Sequence, residues 1–125
     1  MRTFPAALLA AALVVGAAGA ARAQADVDDG RKLFNKCKVC HMLEPGKNAV
    51  GPSLSGIVGR KAGSVEGYKY SPAMASSGLT WDEATLDRYL KDPKGVVPNT
   101  KIIFPGLKDD KERHDVIAFL KAEAK

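Results

Sequence analysis

The chain has 125 residues and a formal net charge of +5 at pH 7, which leaves room for one ordinary domain. Its lysines are scattered and no long basic run appears, so the charge favours acidic protein partners over nucleic acid. We expect a monomer that has no nucleic-acid partner.

The first 23 residues have the features of a cleaved secretory signal. Arg2 gives a positive start, residues 6–18 form an apolar run, and Ala21-Arg22-Ala23 places small residues at the two positions that a signal peptidase reads. The run is too short to span a bilayer comfortably and an arginine closes it, which favours cleavage over a membrane anchor.

We predict cleavage after Ala23, with Ala25 as the alternative, and a mature domain of residues 24–125. Loss of Arg2 and Arg22 lowers the net charge by two, from +5 to +3. The rest of the chain has no apolar segment long enough to span a membrane. The mature protein is therefore expected in the periplasm, without a membrane span.

Three segments are predicted as helices. The first covers about residues 27–36, and Asp26, Asp28 and Asp29 stand at its start, where negative charge complements the helix dipole. The second and third segments begin with residues that can cap the start of a helix. Thr80 and Glu83 have the spacing of a capping box, and Pro93 ends that helix. The third begins near Asp109 and runs almost to the end of the chain.

Residues 42–79 are rich in glycine, proline and serine, and no alternating strand pattern persists in them. A long irregular segment within a small domain needs something to wrap around. This composition indicates a large internal ligand.

The sequence Cys37-Lys38-Val39-Cys40-His41 is the pattern for covalent haem attachment. Two thiols separated by two residues can both add to vinyl groups at one edge of the porphyrin. The histidine that follows then lies under the ring, where its imidazole reaches the iron. This pattern predicts that Cys37 and Cys40 bind the haem and that His41 is an axial ligand.

Three other interpretations of the pair of cysteines are weaker. A thiol–disulfide oxidoreductase would need a surrounding βαβ pattern, which is missing. A structural zinc site needs four ligands, and the chain has two cysteines and two badly separated histidines. An ordinary disulfide would leave the long loops without a core. The second histidine, His114, is predicted to lie at the surface.

Beyond this motif, residues 30–121 resemble the class I cytochrome c family, meaning mitochondrial cytochrome c and its small soluble bacterial relatives. Gly30 and Phe34 match the first helix of the family, which packs on the last helix around Phe119 and Leu120. The resemblance implies an all-α fold, with three main helices and irregular loops around one covalent haem c with its iron.

The resemblance also implies roles for the residues around the haem. Gly51-Pro52-Ser53-Leu54 matches the loop whose proline carbonyl accepts a hydrogen bond from the axial histidine, which would fix the tautomer of His41. The other matches concern the propionates and the distal side. Arg60 matches a residue near a propionate, Tyr70 and Trp81 match residues that hydrogen-bond the inner propionate, and Tyr89 matches a residue beside the distal face.

The chain departs from the family at the sixth iron ligand. The family has methionine in a Pro-Gly-Thr-Lys-Met-x-Phe segment, and residues 98–104 place Ile102 at that position. A hydrocarbon side chain cannot bind iron. The sixth position is therefore open or water-bound, or it is taken by Lys101 or Met74, while Met42 cannot reach the other face. Losing the thioether is expected to lower the reduction potential.

Two functions remain. The first is a periplasmic one-electron carrier, not an enzyme, between membrane redox complexes with acidic docking patches: quinol–cytochrome c reductase, a terminal oxidase or a reaction centre. The resemblance implies a ring of lysines that would steer this docking. Parts of this ring are matched by Lys32, Lys36, Lys94, Lys101 and Lys108. The alternative is a haem protein whose open sixth position binds CO, NO or peroxide, with a peroxidase-like side activity.

Overall fold

A computed structural model describes residues 25–125, so the predicted signal peptide, residues 1–23, lies outside the described residues. The described part contains five helices: α1 (Val27–Phe34), α2 (Pro72–Ala75), α3 (Glu83–Lys91), α4 (Pro93–Val96) and α5 (Asp110–Glu123). It contains no strand, and an isolated antiparallel bridge joins Lys61 and Thr80. The predicted all-α fold with three main helices is confirmed, and α2 and α4 are short additions.

Within residues 25–125, none of the helices has the length and apolar character that crossing a membrane requires.

The start of α1 follows the prediction, and its end differs slightly. The Asp26 side chain accepts the N–H groups of Asp28 and Asp29 at 2.8 and 3.0 Å, which satisfies two of the donors that a helix start leaves unpaired. The helix ends at Phe34, two residues before the predicted end. Tighter turns follow and lead directly into the cysteine motif.

The predicted capping box at Thr80 and Glu83 is wrong. The N-cap of α3 is Asp82, whose side chain accepts the Thr85 N–H at 2.8 Å. Thr80 lies outside the helix because its backbone pairs with Lys61 in the bridge. Pro93 stops α3 as predicted and also opens α4, since a proline at the first helical position loses no hydrogen bond.

The last helix crosses the first one closely. Asp109 caps α5 by accepting the Glu112 N–H at 2.9 Å, at the predicted start. At the crossing, a Cβ on Gly30 would lie 2.8 Å from the Phe119 Cβ and would also clash with the Asp115 carbonyl, so the helices approach because glycine stands there. The Phe34 and Phe119 rings lie 5.0 Å apart and anchor the buried core beside the cavity described below.

Asp115 is a buried carboxylate that joins α5 to the start of α1. The residue is 2% exposed, and its carboxylate accepts the Asp26 N–H at 2.8 Å and the Lys111 ammonium at 2.7 Å. Burial raises the pKa of Asp115, but the hydrogen bonds from Asp26 and Lys111 lower it by more, so the pKa lies below its ordinary value. The ionised form is therefore the one that stabilises the fold.

We expect Asp115→Asn to lower the free energy of unfolding at pH 7 by about 1–3 kcal/mol, the cost of losing hydrogen bonds to a charged acceptor. Because the folded-state pKa is depressed, this contribution is complete above the unfolded pKa of about 3.9 and is lost as the pH falls through the folded value. Urea unfolding at several pH values measures it. The control is Asp28→Asn at an exposed position, which should lower the free energy of unfolding by less than about 1 kcal/mol. If Asp115→Asn still lowers the free energy of unfolding in acid, the stabilising role of the ionised carboxylate is contradicted.

Candidate cofactor site

A cavity of about 570 Å³ lies between α1, α3, α5 and the loops that join them. Its volume is within the range of about 300–1,000 Å³ that is usual for small-molecule and cofactor sites. The walls are mainly apolar, and their deepest side chains are the buried Phe34, Ile57, Trp81, Leu86, Tyr89, Val116 and Leu120. A large and mainly apolar group fits such walls.

The cysteine motif forms one side of this cavity. Tight turns after α1 place it there: the Cys37 N–H donates to the Phe34 carbonyl at 2.8 Å, and the His41 N–H donates to the Cys37 carbonyl at 2.9 Å. Cys37 and Cys40 are free, half-buried thiols. Burial raises the pKa of Cys37, and Cys40 raises it further, with a smaller opposing effect of Lys36. The Cys37 thiol therefore stays protonated at neutral pH.

His41 is oriented by the loop that follows the motif. Its Nδ1 lies 2.8 Å from the Pro52 carbonyl oxygen, which can only accept, so Nδ1 carries the proton and Nε2 is left with its lone pair. Burial lowers the pKa of His41, the Pro52 carbonyl raises it and Arg60 lowers it, with a net lowering. A neutral imidazole with Nε2 unprotonated is the form that binds a metal.

Gly51 makes room for this imidazole. A Cβ at position 51 would lie 2.6 Å from the His41 Nδ1 and 2.8 Å from its Nε2, closer than a side chain can approach. The Gly-Pro sequence therefore serves two purposes, since the glycine admits the ring and the proline carbonyl fixes its tautomer.

Arg60 carries a buried donor that the described part of the chain leaves without a partner. Its Nη1 donates to the carbonyl oxygens of Ser53 and Ser55 at 2.9 and 2.8 Å, whereas its Nε is buried and makes no hydrogen bond within residues 25–125. A buried donor left unpaired costs about 1–3 kcal/mol. Since Arg60 lines the cavity, an acidic group on the cofactor, such as a haem propionate, fits this donor.

Tyr70, Trp81 and Tyr89 also line the cavity. The Tyr70 hydroxyl accepts the Val65 N–H at 3.1 Å, which leaves its own proton for a further acceptor. The Trp81 and Tyr89 rings are buried and lie 4.8 Å apart. Burial raises the pKa of Tyr89, against a smaller lowering by a hydrogen bond to Thr100, so its hydroxyl stays protonated. One cavity thus gathers the predicted Cys37, Cys40, His41, Pro52, Arg60, Tyr70, Trp81 and Tyr89.

Three of the residues considered for the sixth position line the cavity, and Met42 does not. Ile102 lines it and is half-buried. Lys101 also lines it, but its Nζ donates to the Lys69 carbonyl at 2.7 Å. Met74 lines the cavity from α2, where its N–H donates to the Ser71 Oγ at 3.2 Å. Met42 is exposed at the surface.

Tyr68 is a lining residue that the sequence does not predict. Its ring lies beneath the Lys101 ammonium, with the Nζ 4.7 Å from the ring centroid, and its hydroxyl donates to the Val50 carbonyl at 2.7 Å. These partners are far away in the sequence, so no local pattern signals them. His114, which was predicted at the surface, is 58% exposed and lies outside this cavity.

Comparisons with known proteins show the family to which the chain belongs. The sequence model of the cytochrome c family, "Cytochrome c", matches residues 27–123. Cytochrome c2 of Rhodomicrobium vannielii is 52% identical over 121 residues, which is 96% of this chain and 95% of that protein. Cytochrome c-550 of Nitrobacter winogradskyi is 52% identical over 96 residues, 76% of this chain and 88% of that protein.

A solved structure gives the same result. Cytochrome cH from Methylobacterium extorquens has a TM-score of 0.73 and 51% sequence identity, covering 78% of this chain and 98% of that chain. The resemblance predicted from the sequence is confirmed. The chain therefore belongs to the cytochrome c family and is a monohaem electron carrier, not an enzyme, with one covalent haem c and its iron as cofactor.

Proposed function

We propose that Cys37 and Cys40 hold the haem through thioether bonds and that the His41 Nε2 binds its iron. The observation that carries this proposal is the 2.8 Å contact between the His41 Nδ1 and the Pro52 oxygen, at a cavity that both cysteines also line. The contact directs the unprotonated nitrogen to the metal and raises its basicity. The thioethers fix the cofactor in a domain whose core is small.

The polar lining residues complete the proposed binding site. Arg60 would donate its unpaired Nε–H to a propionate, and Tyr70 and Trp81 would donate their O–H and indole N–H to the inner propionate. Tyr89 would lie beside the distal face. When bound, the haem supplies a single iron that changes between ferric and ferrous, and these residues keep it oriented and largely shielded from water.

The proposed setting is the periplasm. Residues 1–23 would act as a cleaved signal peptide and residues 24–125 as the mature domain, and alignment with the Rhodomicrobium cytochrome c2 over 96% of this chain supports a shared leader. The domain would act as a monomer that passes one electron at a time between membrane redox complexes: quinol–cytochrome c reductase and a terminal oxidase or reaction centre.

Lysine side chains would steer docking to acidic patches on these partners. Lys36 and Lys101 line the cavity and are exposed, which places positive charge beside the proposed haem site. Lys94 is also exposed. The remaining two predicted lysines, like Lys101, have partners within the chain: Lys32 contacts Asp29 at 3.3 Å, and Lys108 donates to the Lys91 carbonyl at 2.7 Å.

Mass spectrometry of the exported protein tests the attachment and the leader together. We expect the mass of residues 24–125 plus one haem, with the haem retained after denaturation. The purified protein should also exchange electrons rapidly with quinol–cytochrome c reductase, and more slowly as the salt concentration rises. A mass without haem, or exchange that is slow at every salt concentration, would contradict the proposal.

Ile102 supports a second function, binding of a small ligand at an open sixth position. Ile102 offers no ligand atom, and the Lys101 Nζ is held by the Lys69 carbonyl, as suits an ammonium rather than an amine bound to iron. Loss of the thioether would also lower the reduction potential. The ferric absorption spectrum tests this candidate. We expect no near-infrared band of a Met-sulfur ligand, whereas such a band would indicate Met74 as the ligand.

A further inference from the structure

We propose that Tyr68, Lys69 and Lys101 form a clasp across the mouth of the cavity and that this clasp limits how fast a small neutral ligand reaches the sixth position. CO, NO and hydrogen peroxide belong to this class. The inference rests on the open sixth position proposed above, and it assigns a role to contacts that attachment of the haem does not use.

Lys101 supplies two contacts of the clasp. Its Nζ donates to the Lys69 carbonyl at 2.7 Å and lies 4.7 Å from the centroid of the Tyr68 ring. A charge-assisted hydrogen bond and a cation–π contact share one ammonium group, and both hold the backbone next to Ile102 against a segment 32 residues earlier in the chain.

Tyr68 connects this segment to a third one. Its hydroxyl donates to the Val50 carbonyl at 2.7 Å, and its ring meets Tyr70 edge-on with the centroids 4.8 Å apart. Val50 immediately precedes the Gly51-Pro52 pair that contacts His41. The Tyr68 ring thus joins the loop on the His41 side of the cavity to the segment that carries Ile102.

The clasp lies where the cavity opens to solvent. The lining residues Val50 and Ile103 are 72% and 97% exposed, and the lining residue Lys101 is exposed as well. A ligand that enters along this exposed edge beside Ile102 passes residues 101–103. Separation of this segment from Tyr68 and Lys69 widens the entrance, so the entry rate follows the fraction of molecules in which the clasp is open.

The rate of CO association with the ferrous haem protein, measured after flash photolysis, tests the clasp. Lys101→Leu removes the ammonium and introduces no atom that can bind iron, so both contacts are lost and association is expected to be about tenfold faster. Tyr68→Phe keeps the ring and loses the bond to Val50, and about a threefold increase is expected. Hydrogen exchange of the amides at residues 101–103 should accelerate in the Lys101→Leu variant.

The matched control is Lys108→Leu. Lys108 also donates to a backbone carbonyl at 2.7 Å, that of Lys91, and the variant loses the same charge outside the cavity lining. Its CO rate and the exchange at residues 101–103 should stay within about twofold of the unsubstituted protein.

Three results would overturn the inference in distinguishable ways. CO adducts that form at one common rate in the Lys101→Leu and Lys108→Leu variants overturn the clasp alone. CO binding that appears only in Lys101→Leu shows that Lys101 itself occupies the iron, which also excludes the clasp. No adduct in any variant overturns the open sixth position on which the inference rests.

Discussion

Replacement of both Cys37 and Cys40 by alanine is expected to abolish covalent haem. The two thiols line the cavity next to His41, and no other cysteine is present in the chain to replace them. The exported variant should show the mass of the polypeptide alone and no haem after denaturing electrophoresis. Because the cavity of about 570 Å³ then lacks a tethered occupant, the variant should also unfold at a lower urea concentration.

Val39→Ala is the control for this experiment. Val39 lies between the two cysteines and is 79% exposed, so the variant should keep both covalent bonds and its stability. Each single replacement, Cys37→Ala or Cys40→Ala, should retain one thioether bond. Covalent haem on the double variant would contradict the assignment of the attachment site.

Ile102→Met is expected to give the iron a sixth ligand. A thioether favours the ferrous state, so the reduction potential should rise by on the order of hundreds of mV, within the span of about 0.8 V that axial ligands cover. CO must then displace the sulfur, and its apparent affinity should fall at least about a hundredfold. Redox titration and CO titration measure the two effects.

The neighbouring Ile103 provides a matched control for the same substitution. Its side chain lies at the exposed rim of the cavity lining and is 97% exposed, so Ile103→Met places a thioether largely in solvent. This variant should keep the potential and the CO affinity of the unsubstituted protein. An Ile102→Met variant that behaves like Ile103→Met would show that position 102 does not face the iron.

The main helices could be predicted because their start signals are local. Asp26 and Asp109 cap α1 and α5 through residues two or three positions on, and such spacing is visible in the sequence. The start of α3 could not be placed in this way. Thr80 satisfies the spacing of a capping box, but its pairing with Lys61, 19 residues earlier, holds it in an extended conformation, and Asp82 takes its place.

The two short helices are below the length at which periodicity can be recognised. Each has four residues and begins with a proline, Pro72 in α2 and Pro93 in α4. A proline in the sequence indicates that a helix stops, but it is equally suited to a first helical position. The capping side chains of Ser71 and Asp92 decide the outcome, and each makes its bond three residues further on.

The candidate site also has one part that the sequence predicts and another that it does not. Cys37, Cys40 and His41 follow from one five-residue motif, because the chemistry itself requires that spacing. Tyr68 contacts Val50, which lies 18 residues earlier in the chain, and Lys101, which lies about twice as far away in the other direction. These contacts arise from the fold. No sequence pattern specifies them, so the clasp could be found only in three dimensions.

Binding of CO to the ferrous protein at neutral pH tests most directly whether the haem is held by a protein ligand from one side only. His41, the proposed ligand, has a hydrogen-bond acceptor in the Pro52 carbonyl, whereas Ile102, at the position proposed for the sixth ligand, offers only a hydrocarbon. We expect one CO per chain to bind promptly, with a corresponding change in the absorption spectrum. A ferrous spectrum that excess CO leaves unchanged would contradict this account, because a protein side chain would then occupy the sixth position.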